Sequence, residues 1–170
     1  NLPELVHISR FLPDVYGQAA TIRDLALSFF SVEIPVYARE LYRFEDSDGA
    51  LYEMTRLPMG HSCSPELMHI LTAVLAGHPR YVLPEFAVGN DVTVRIWIDN
   101  IRYTGPRDTV VSLGERLDSM EGPSALGVLW KKKDSQTGVT QYEFLGAFWD
   151  HVRHLVRLGA KNLFKLPISI

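Results

Sequence analysis

Cysteine is almost absent from this sequence, and its scarcity excludes several kinds of site. Cys63 is the one cysteine among 170 residues, so the chain has no internal disulfide and no zinc site built from several cysteines. A lone thiol is typical of proteins in a reducing compartment. We therefore expect an intracellular location, in the cytoplasm or the nucleus.

The sequence also lacks an excess of positive charge and any long apolar run. Its formal net charge is −3, which argues against a free-standing nucleic-acid binder with a strongly basic surface. No apolar run approaches the roughly 20 residues of a membrane span, and we expect no membrane partner. With 46% hydrophobic residues, the chain can bury one good core and has no room for a second full domain. We expect residues 1–170 to form a single domain.

Periodicity in the first half of the chain predicts both helices and strands. Apolar residues have a helical spacing over residues 3–15, and a short strand over 21–25 contains a carboxylate before a turn. The pair Asp48-Gly49 predicts a β-hairpin over about residues 40–56. Ser64 and Pro65 are suited to begin a helix that ends at Gly77.

The second half continues this mixed pattern. Alternating apolar residues predict a strand over 92–98 that returns over 101–104 as a hairpin, and a helix follows over 106–122. Further predicted elements are strands over 126–130, 141–148 and 154–158 and a helix over 161–166. Hairpins mixed with helices favour an α+β fold with an antiparallel sheet and helices packed on one face.

Two aspartates stand where an apolar strand meets a turn. Asp24 and Asp99 occupy equivalent positions at two strand ends. Phosphoryl transfer by two metal ions needs such a pair, because shared carboxylates hold two cations about 4 Å apart. An aspartate at a strand end is also a common turn former or helix cap. The residues alone leave both interpretations open.

Four segments, in order, resemble the palm of retroviral and retrotransposon reverse transcriptases. The segment after Asp24 has Phe29 five residues later, as in the first palm motif of that family. The run Leu57–Pro65 resembles its Leu-Pro-x-Gly-x-x-x-Ser-Pro signature, Trp97–Asn100 its aromatic-x-Asp-Asp box, and Glu143–Gly146 its Phe-Leu-Gly motif. The resemblance implies an antiparallel palm sheet and a fingers-type β-hairpin.

The same resemblance implies template-directed DNA synthesis by a retroelement-type RNA-directed DNA polymerase. Asp24 and Asp99 would bind two Mg²⁺ ions, or Mn²⁺, and act with Asn100 in catalysis. Phe29 would select deoxynucleotides by leaving no space for a 2′-hydroxyl. The full set of implied substrate contacts is Leu25, Phe29, Met59, Gly60 and Trp97, and the implied support of the primer strand is Phe144, Leu145 and Gly146. Phe30, next to Phe29, is expected in the core.

A run of three lysines precedes the Phe-Leu-Gly motif. In the family, a lysine near this interval can protonate the pyrophosphate leaving group, and Lys133 fits the spacing best. The alternative is a solvated strand end, the more common role of a lysine run.

The chain departs from the family pattern in two respects. Asn100 stands where the family has a second aspartate, so the site has one negative charge fewer and should hold metal less tightly. A rival interpretation is therefore a degenerate palm that serves as an RNA- or protein-binding scaffold.

The second departure is extent, because 23 residues precede Asp24 and 24 follow Gly146. We expect the N-terminal fingers and the C-terminal thumb to be largely absent, and the rest of a larger polyprotein to supply them. The expected partners are a nucleic-acid template-primer and deoxynucleoside triphosphates.

Overall fold

The computed structural model describes residues 10–26 and 29–160. Within this part of the chain, two α-helices separate three groups of strands, and short 3₁₀ helices lie between several of these elements. The strands are β1 (Ala19–Asp24), β2 (Arg43–Glu45), β3 (Leu51–Glu53), β4 (Thr93–Trp97), β5 (Asn100–Gly105), β6 (Gln136–Val139), β7 (Gln141–Phe144), β8 (Ala147–Asp150) and β9 (Leu155–Leu158), and the helices are α1 (Ser64–Ala76) and α2 (Arg107–Asp118).

A four-stranded antiparallel sheet forms the centre of the fold, in the order β4-β5-β1-β6. Strands β4 and β5 are a hairpin in which Trp97 pairs with Asn100 across a two-residue turn. Strand β1 lies on the other side of β5, with Asp24 directly opposite Asn100. The register therefore brings the end of β1 to the turn of the hairpin.

Both α-helices pack on one face of this sheet. Met68 and Ala76 of α1 and Val110 and Leu117 of α2 are buried in one cluster with apolar residues of the strands. Tyr103 of β5 donates its hydroxyl to the carbonyl of Ala76 at 2.7 Å, which satisfies a polar group inside this layer. Helix α1 has Pro near its start and ends at Gly77, which adopts the left-handed conformation that glycine permits.

The opposite face of the central sheet is covered by a second antiparallel sheet, β7-β8-β9. Its buried residues Tyr142, Phe144 and Trp149 pack against Ala20 and Ile22 of β1. The central strands are thus buried on both faces.

One charged side chain lies inside the second core, which is the apolar cluster between the central sheet and the β7-β8-β9 sheet. Arg102 of β5 is fully buried, and its guanidinium lies 4.3 Å from the ring centroid of Trp149 and 4.8 Å from that of Phe144. It forms an ion pair with the buried carboxylate of Asp14, which also binds Arg95 at 2.9 and 3.0 Å. The buried guanidinium of Arg102 therefore has a counter-charge, as a low-dielectric interior requires.

Strands β2 and β3 form a separate hairpin whose side chains are exposed. The rings of Phe44 and Tyr52 stack across it with centroids 5.5 Å apart. Its position agrees with the predicted fingers-type hairpin. The α+β prediction, with an antiparallel sheet and helices on one face, is confirmed.

Several local predictions were wrong. Residues 126–130 form no strand and contribute only isolated bridges at Val128 and Trp130. The predicted strand over 141–148 is two strands, β7 and β8, because a tight turn separates them. Helix α2 ends at Asp118 rather than near residue 122, and strand β6 was not foreseen.

At the ends of the chain, Leu12–Tyr16 is a 3₁₀ helix rather than part of an α-helix. Residues 3–9 of the predicted helix over 3–15 and the predicted helix over 161–166 lie outside the described residues. None of the described helices is long and apolar enough to cross a membrane.

Candidate active-site cleft

The structure brings Asp24 and Asp99 together at one end of the central sheet. Asp24 is the last residue of β1 and lies opposite Asn100. The next residue, Leu25, donates its backbone N–H to the carbonyl of Asp99 at 3.0 Å. The turn that carries Asp99 contains Ile98 with φ of +55°, a strained conformation for a β-branched residue. Strand pairing and this backbone bond therefore fix both aspartates side by side.

The electrostatic state of Asp24 reflects this arrangement. Burial raises the pKa of its carboxyl, the negative charge of Asp99 raises it further, and the nearby Lys131 opposes both effects. The ammonium of Lys131 lies 3.4 Å from Oδ2 of Asp24. Oδ1 of Asp24 is buried and has no hydrogen-bond partner among the described residues. A buried carboxylate oxygen without a donor is suited to bind a cation.

Asn100 acts on its neighbours as a hydrogen-bond donor. Its side-chain amide lies 3.2 Å from Oδ1 of Asp99 and 3.4 Å from the carbonyl of Trp97. The Asn100 side chain thus stabilises the turn and orients the Asp99 carboxylate, at the position where the reverse-transcriptase pattern has a second carboxylate.

A polar cleft opens beside these residues, with a volume of about 530 Å³. It lies between the last residue of β1, the first residue of β5, the 3₁₀ helix Lys132–Asp134 and the end of β7. Its lining residues are Ile22, Asp24, Asn100, Lys133, Asp134, Gln136, Glu143, Phe144 and Leu145. Five residues that the sequence assigned to catalysis or to the primer strand therefore share one cleft: Asp24, Asn100, Lys133, Phe144 and Leu145.

The turn between β7 and β8 forms one wall of the cleft. Leu145 and Gly146 have φ of +51° and +75°, and residues Phe144 and Ala147 pair on either side of them. Two consecutive residues with positive φ are typical of a two-residue hairpin turn. Glycine adopts this conformation without cost, whereas leucine does so with strain.

None of the five predicted substrate contacts is among the residues that line the cleft. Leu25 is buried in the core and contributes its backbone N–H to the site. Phe29 is half-buried and packs against the core, whereas Phe30 is 46% exposed. The expectation that Phe30 is the core residue was therefore wrong. Trp97 is half-buried at the end of β4.

The signature loop before α1 is largely accessible. Met59 is 67% exposed, and Gly60 has φ of +90° with open space where a side chain would begin. The hydroxyl of Ser64 donates to the carbonyl of Pro58 at 2.8 Å, which holds the loop against the start of α1. The loop therefore presents its backbone at Gly60 to solvent.

Sequence reasoning missed two charged residues that act on Asp24. Lys131, not Lys133, forms the ion pair with Asp24, while Lys133 lines the cleft as an exposed side chain. Asp134 also lines the cleft, and its negative charge contributes to the raised pKa of Asp24. The lysine run was the only signal for Lys131, and spacing alone does not show which lysine faces the aspartate.

The donor set suits a magnesium-type ion that shares its ligands with a substrate. Among the described residues, no group of three or more His, Cys, Asp and Glu side chains is arranged to hold a metal. Mg²⁺ is often bound by one or two carboxylates together with phosphates of the substrate. The pair of Asp24 and Asp99, with the unpaired Oδ1 of Asp24, fits that kind of site.

Solved structures of foamy virus protease-reverse transcriptase have a similar fold. One, in complex with double-stranded DNA, has a TM-score of 0.68 at 18% identity over 91% of this chain and 25% of that one. Another, in complex with an RNA/DNA hybrid, has a TM-score of 0.65 at 17% identity over 94% and 20% of the two chains. This chain has a reverse-transcriptase-like fold.

A third structure, a mutant of the prototype foamy virus enzyme, has a TM-score of 0.57 at 23% identity over 85% of this chain and 17% of that one. The chain thus spans about a quarter or less of the length of these proteins. No family model matches the chain, and no curated protein has a matching sequence. At these identities, the similarity concerns the fold alone.

Proposed function

We propose that this chain is the palm of a retroelement-type reverse transcriptase, an RNA-directed DNA polymerase that acts by two-metal nucleotidyl transfer. The observation that supports this proposal most strongly is the shared cleft. Asp24 adjoins Asp99 at the sheet end and lines one cleft together with Lys133, Phe144 and Leu145. A turn former or helix cap does not require these other groups nearby.

Asp24 and Asp99 would hold two Mg²⁺ ions, or Mn²⁺, together with phosphates of the substrate. Bound there, the metals would supply charge neutralisation at the transferred phosphate and activation of the attacking hydroxyl. The chain's own residues would do the rest. Phe29 would select the sugar, Lys133 would donate a proton to the pyrophosphate leaving group, and the turn at Leu145 and Gly146 would support the primer strand.

The substrates would be deoxynucleoside triphosphates and a nucleic-acid template-primer. Leu25, Met59, Gly60 and Trp97 would contact the nucleotide or the template strand. The exposed backbone at Gly60, where a side chain is absent, suits a close approach of the nucleic acid. Because the chain spans a quarter or less of the similar proteins, we propose that other parts of a larger polyprotein complete the fingers and the thumb.

A second candidate function is a scaffold whose metal site has degenerated. Two contacts favour it: Lys131 supplies a cation to Asp24, and the Asn100 amide donates to Asp99. Both contacts stabilise the aspartates without a metal. A palm of this kind would be retained to bind RNA or proteins, because fold alone does not determine function.

Primer extension by the full-length protein separates the two candidates. The wild type, Asp99→Asn and Asn100→Asp are compared over titrations of Mg²⁺ and Mn²⁺. A working polymerase extends the primer, loses activity in Asp99→Asn and keeps it in Asn100→Asp with modestly tighter metal binding. Wild-type activity that persists in Asp99→Asn contradicts the assigned mechanism, and inactivity of all three at saturating metal favours the scaffold.

A further inference from the structure

A second pocket lies at the β4 edge of the central sheet, with a volume of about 480 Å³. It is bounded by the 3₁₀ segment near the N-terminus, α1, the turn after α1 and strand β4. Its lining residues are Phe11, His69, His78, Arg80, Tyr81, Val94, Arg95 and Ile96. None of them lines the cleft at Asp24, so the two sites are separate.

The two histidines of this pocket are held as hydrogen-bond donors. Nδ1 of His69 accepts the backbone N–H of Ile98 at 3.2 Å, and Nδ1 of His78 accepts that of Arg80 at 3.1 Å. A neutral imidazole carries its proton on the other ring nitrogen when Nδ1 is an acceptor. Each Nε2 therefore carries an N–H that is available for a ligand.

Tyr81 orients both rings. Its ring lies edge-to-face with His78 at 5.3 Å and with His69 at 6.2 Å between centroids. Such edge-to-face packing restricts the orientation of an aromatic ring. Both histidines are consequently ordered around the same space.

The charge in the pocket is positive. Arg95 is held by both carboxylate oxygens of Asp14 and stacks over Phe11 at 4.6 Å. Arg80 is exposed, and no carboxylate among the described residues pairs with it. No Asp or Glu lies among the lining residues described above.

Burial lowers the pKa of both histidines, and nearby positive charge acts in addition on His78. The positive charges that lower the pKa of His78 further are those of Arg80, Arg95 and His69. The rings thus remain neutral donors near pH 7, beside a guanidinium that lacks a counter-charge.

We propose that this pocket binds a phosphate group. A phosphate offers several acceptor oxygens in different directions, which matches an imidazole N–H from α1 and an imidazole N–H and a guanidinium from the turn after it. The group can come from inorganic phosphate, a nucleotide or a nucleic-acid backbone, because the recognised chemistry is the same. This inference does not depend on the proposed polymerase function, since the two sites share no lining residue.

NMR spectra of the histidine ring signals of the 170-residue chain test the proposal. Sodium phosphate is added at constant ionic strength, with sodium chloride as the reference. We expect saturable shifts of the His69 and His78 ring signals and a higher pKa of His78 in phosphate, because a bound anion favours the protonated ring. A spectrum in which neither histidine shifts with phosphate contradicts the proposal.

Two arginine variants make the test specific. Arg80→Gln removes the unpaired guanidinium and should weaken phosphate binding about tenfold, as expected for one charge-assisted hydrogen bond. Arg153→Gln removes the same charge from an arginine with a 76% exposed side chain elsewhere on the surface and should leave binding unchanged. Equal weakening by both variants overturns the proposal, since it would indicate a general effect of net charge.

Short oligonucleotides distinguish the sources of the phosphate. Oligothymidylates with and without a 5′-phosphate are titrated in the same experiment. Binding that requires the 5′-phosphate indicates a phosphomonoester ligand, and binding of both indicates a backbone phosphodiester. Binding of inorganic phosphate alone indicates a free-anion site. Each of these results supports a phosphate pocket and identifies its ligand.

Discussion

The ammonium group of Lys131 lies 3.4 Å from Oδ2 of Asp24. The carboxylate that we propose as a metal ligand is therefore already paired with a cation of the protein. The Lys131 side chain is 45% exposed, so its pairing is screened by solvent and is worth at most about 1 kcal/mol. Such a pair weakens metal binding by competition but does not prevent it.

Lys131→Met should tighten the binding of Mn²⁺ at the cleft by about three- to fivefold, because the metal no longer competes with a tethered ammonium. The measurement is the free Mn²⁺ signal in electron paramagnetic resonance, which requires no catalytic activity. Lys132→Met is the matched control, since it removes the same charge from the adjacent residue. If both variants change the affinity equally, the effect is one of net charge and the pairing with Asp24 is irrelevant to metal binding.

Asp24→Asn should raise the thermal stability of the chain near neutral pH. The pKa of Asp24 is higher in the folded chain than in the unfolded one, so the wild type loses stability as pH rises through the folded pKa. The asparagine has no such ionisation. The difference in Tm should therefore be largest at about pH 7 and should shrink towards about pH 3, where the aspartate is protonated in both states.

Differential scanning calorimetry across this pH range provides the measurement. Asp48→Asn, in the exposed hairpin, is the control for the loss of one negative charge. A variant that is less stable than the wild type at pH 7 would show that the ion pair with Lys131 outweighs the burial of Asp24.

Asp14→Ala should destabilise the chain by about 3–5 kcal/mol, because it leaves the buried guanidinium of Arg102 without its counter-charge. Asp14 is 6% exposed and Arg102 is not exposed at all, so solvent cannot replace the carboxylate. Urea denaturation measures the loss. Glu53→Ala breaks the exposed pair with Arg43 and should cost less than about 1 kcal/mol. Equal losses of unfolding free energy in the two variants would show that the buried pair in the second core is worth no more than an exposed one.

Leu145→Asn should stabilise the chain by about 1 kcal/mol, because asparagine tolerates the left-handed conformation that leucine adopts there with strain. Leu145 has φ of +51° and is 38% exposed, so little packing is lost. Leu126→Asn, an exposed leucine without positive φ, should have no comparable effect. Chemical denaturation of both variants provides the comparison, and an unstable Leu145→Asn chain would show that the leucine makes contacts worth more than its strain.

Most of the helices and strands whose sequence pattern lies within one short segment were predicted. Helix α1 was predicted because its proline start, glycine end and apolar spacing all lie within one segment. The β4–β5 hairpin was predicted because its alternation is strict. The adjacency of Asp24 and Asp99 follows from those same strand ends once the strands pair.

Features that depend on distant contacts were not predictable in this way. Strand β6 has a polar sequence with Gly138, and it exists because β1 offers it an edge for pairing. Residues 126–130 have the composition of a strand, yet Val128 and Trp130 are buried as parts of an irregular segment. Which of the three lysines meets Asp24 depends on the path of the chain after Trp130, and no local pattern encodes it.

The backbone bond from Leu25 to the carbonyl of Asp99 has a consequence for motion at the cleft. It connects the tip of one hairpin to the end of a strand that is buried on both faces, so the two aspartates belong to one rigid unit. The separation of their Cα atoms is set by strand pairing, and it changes only when that pairing opens locally. The exchange rate of the Leu25 amide hydrogen with solvent would therefore report how often the backbone segments that carry the two aspartates move apart.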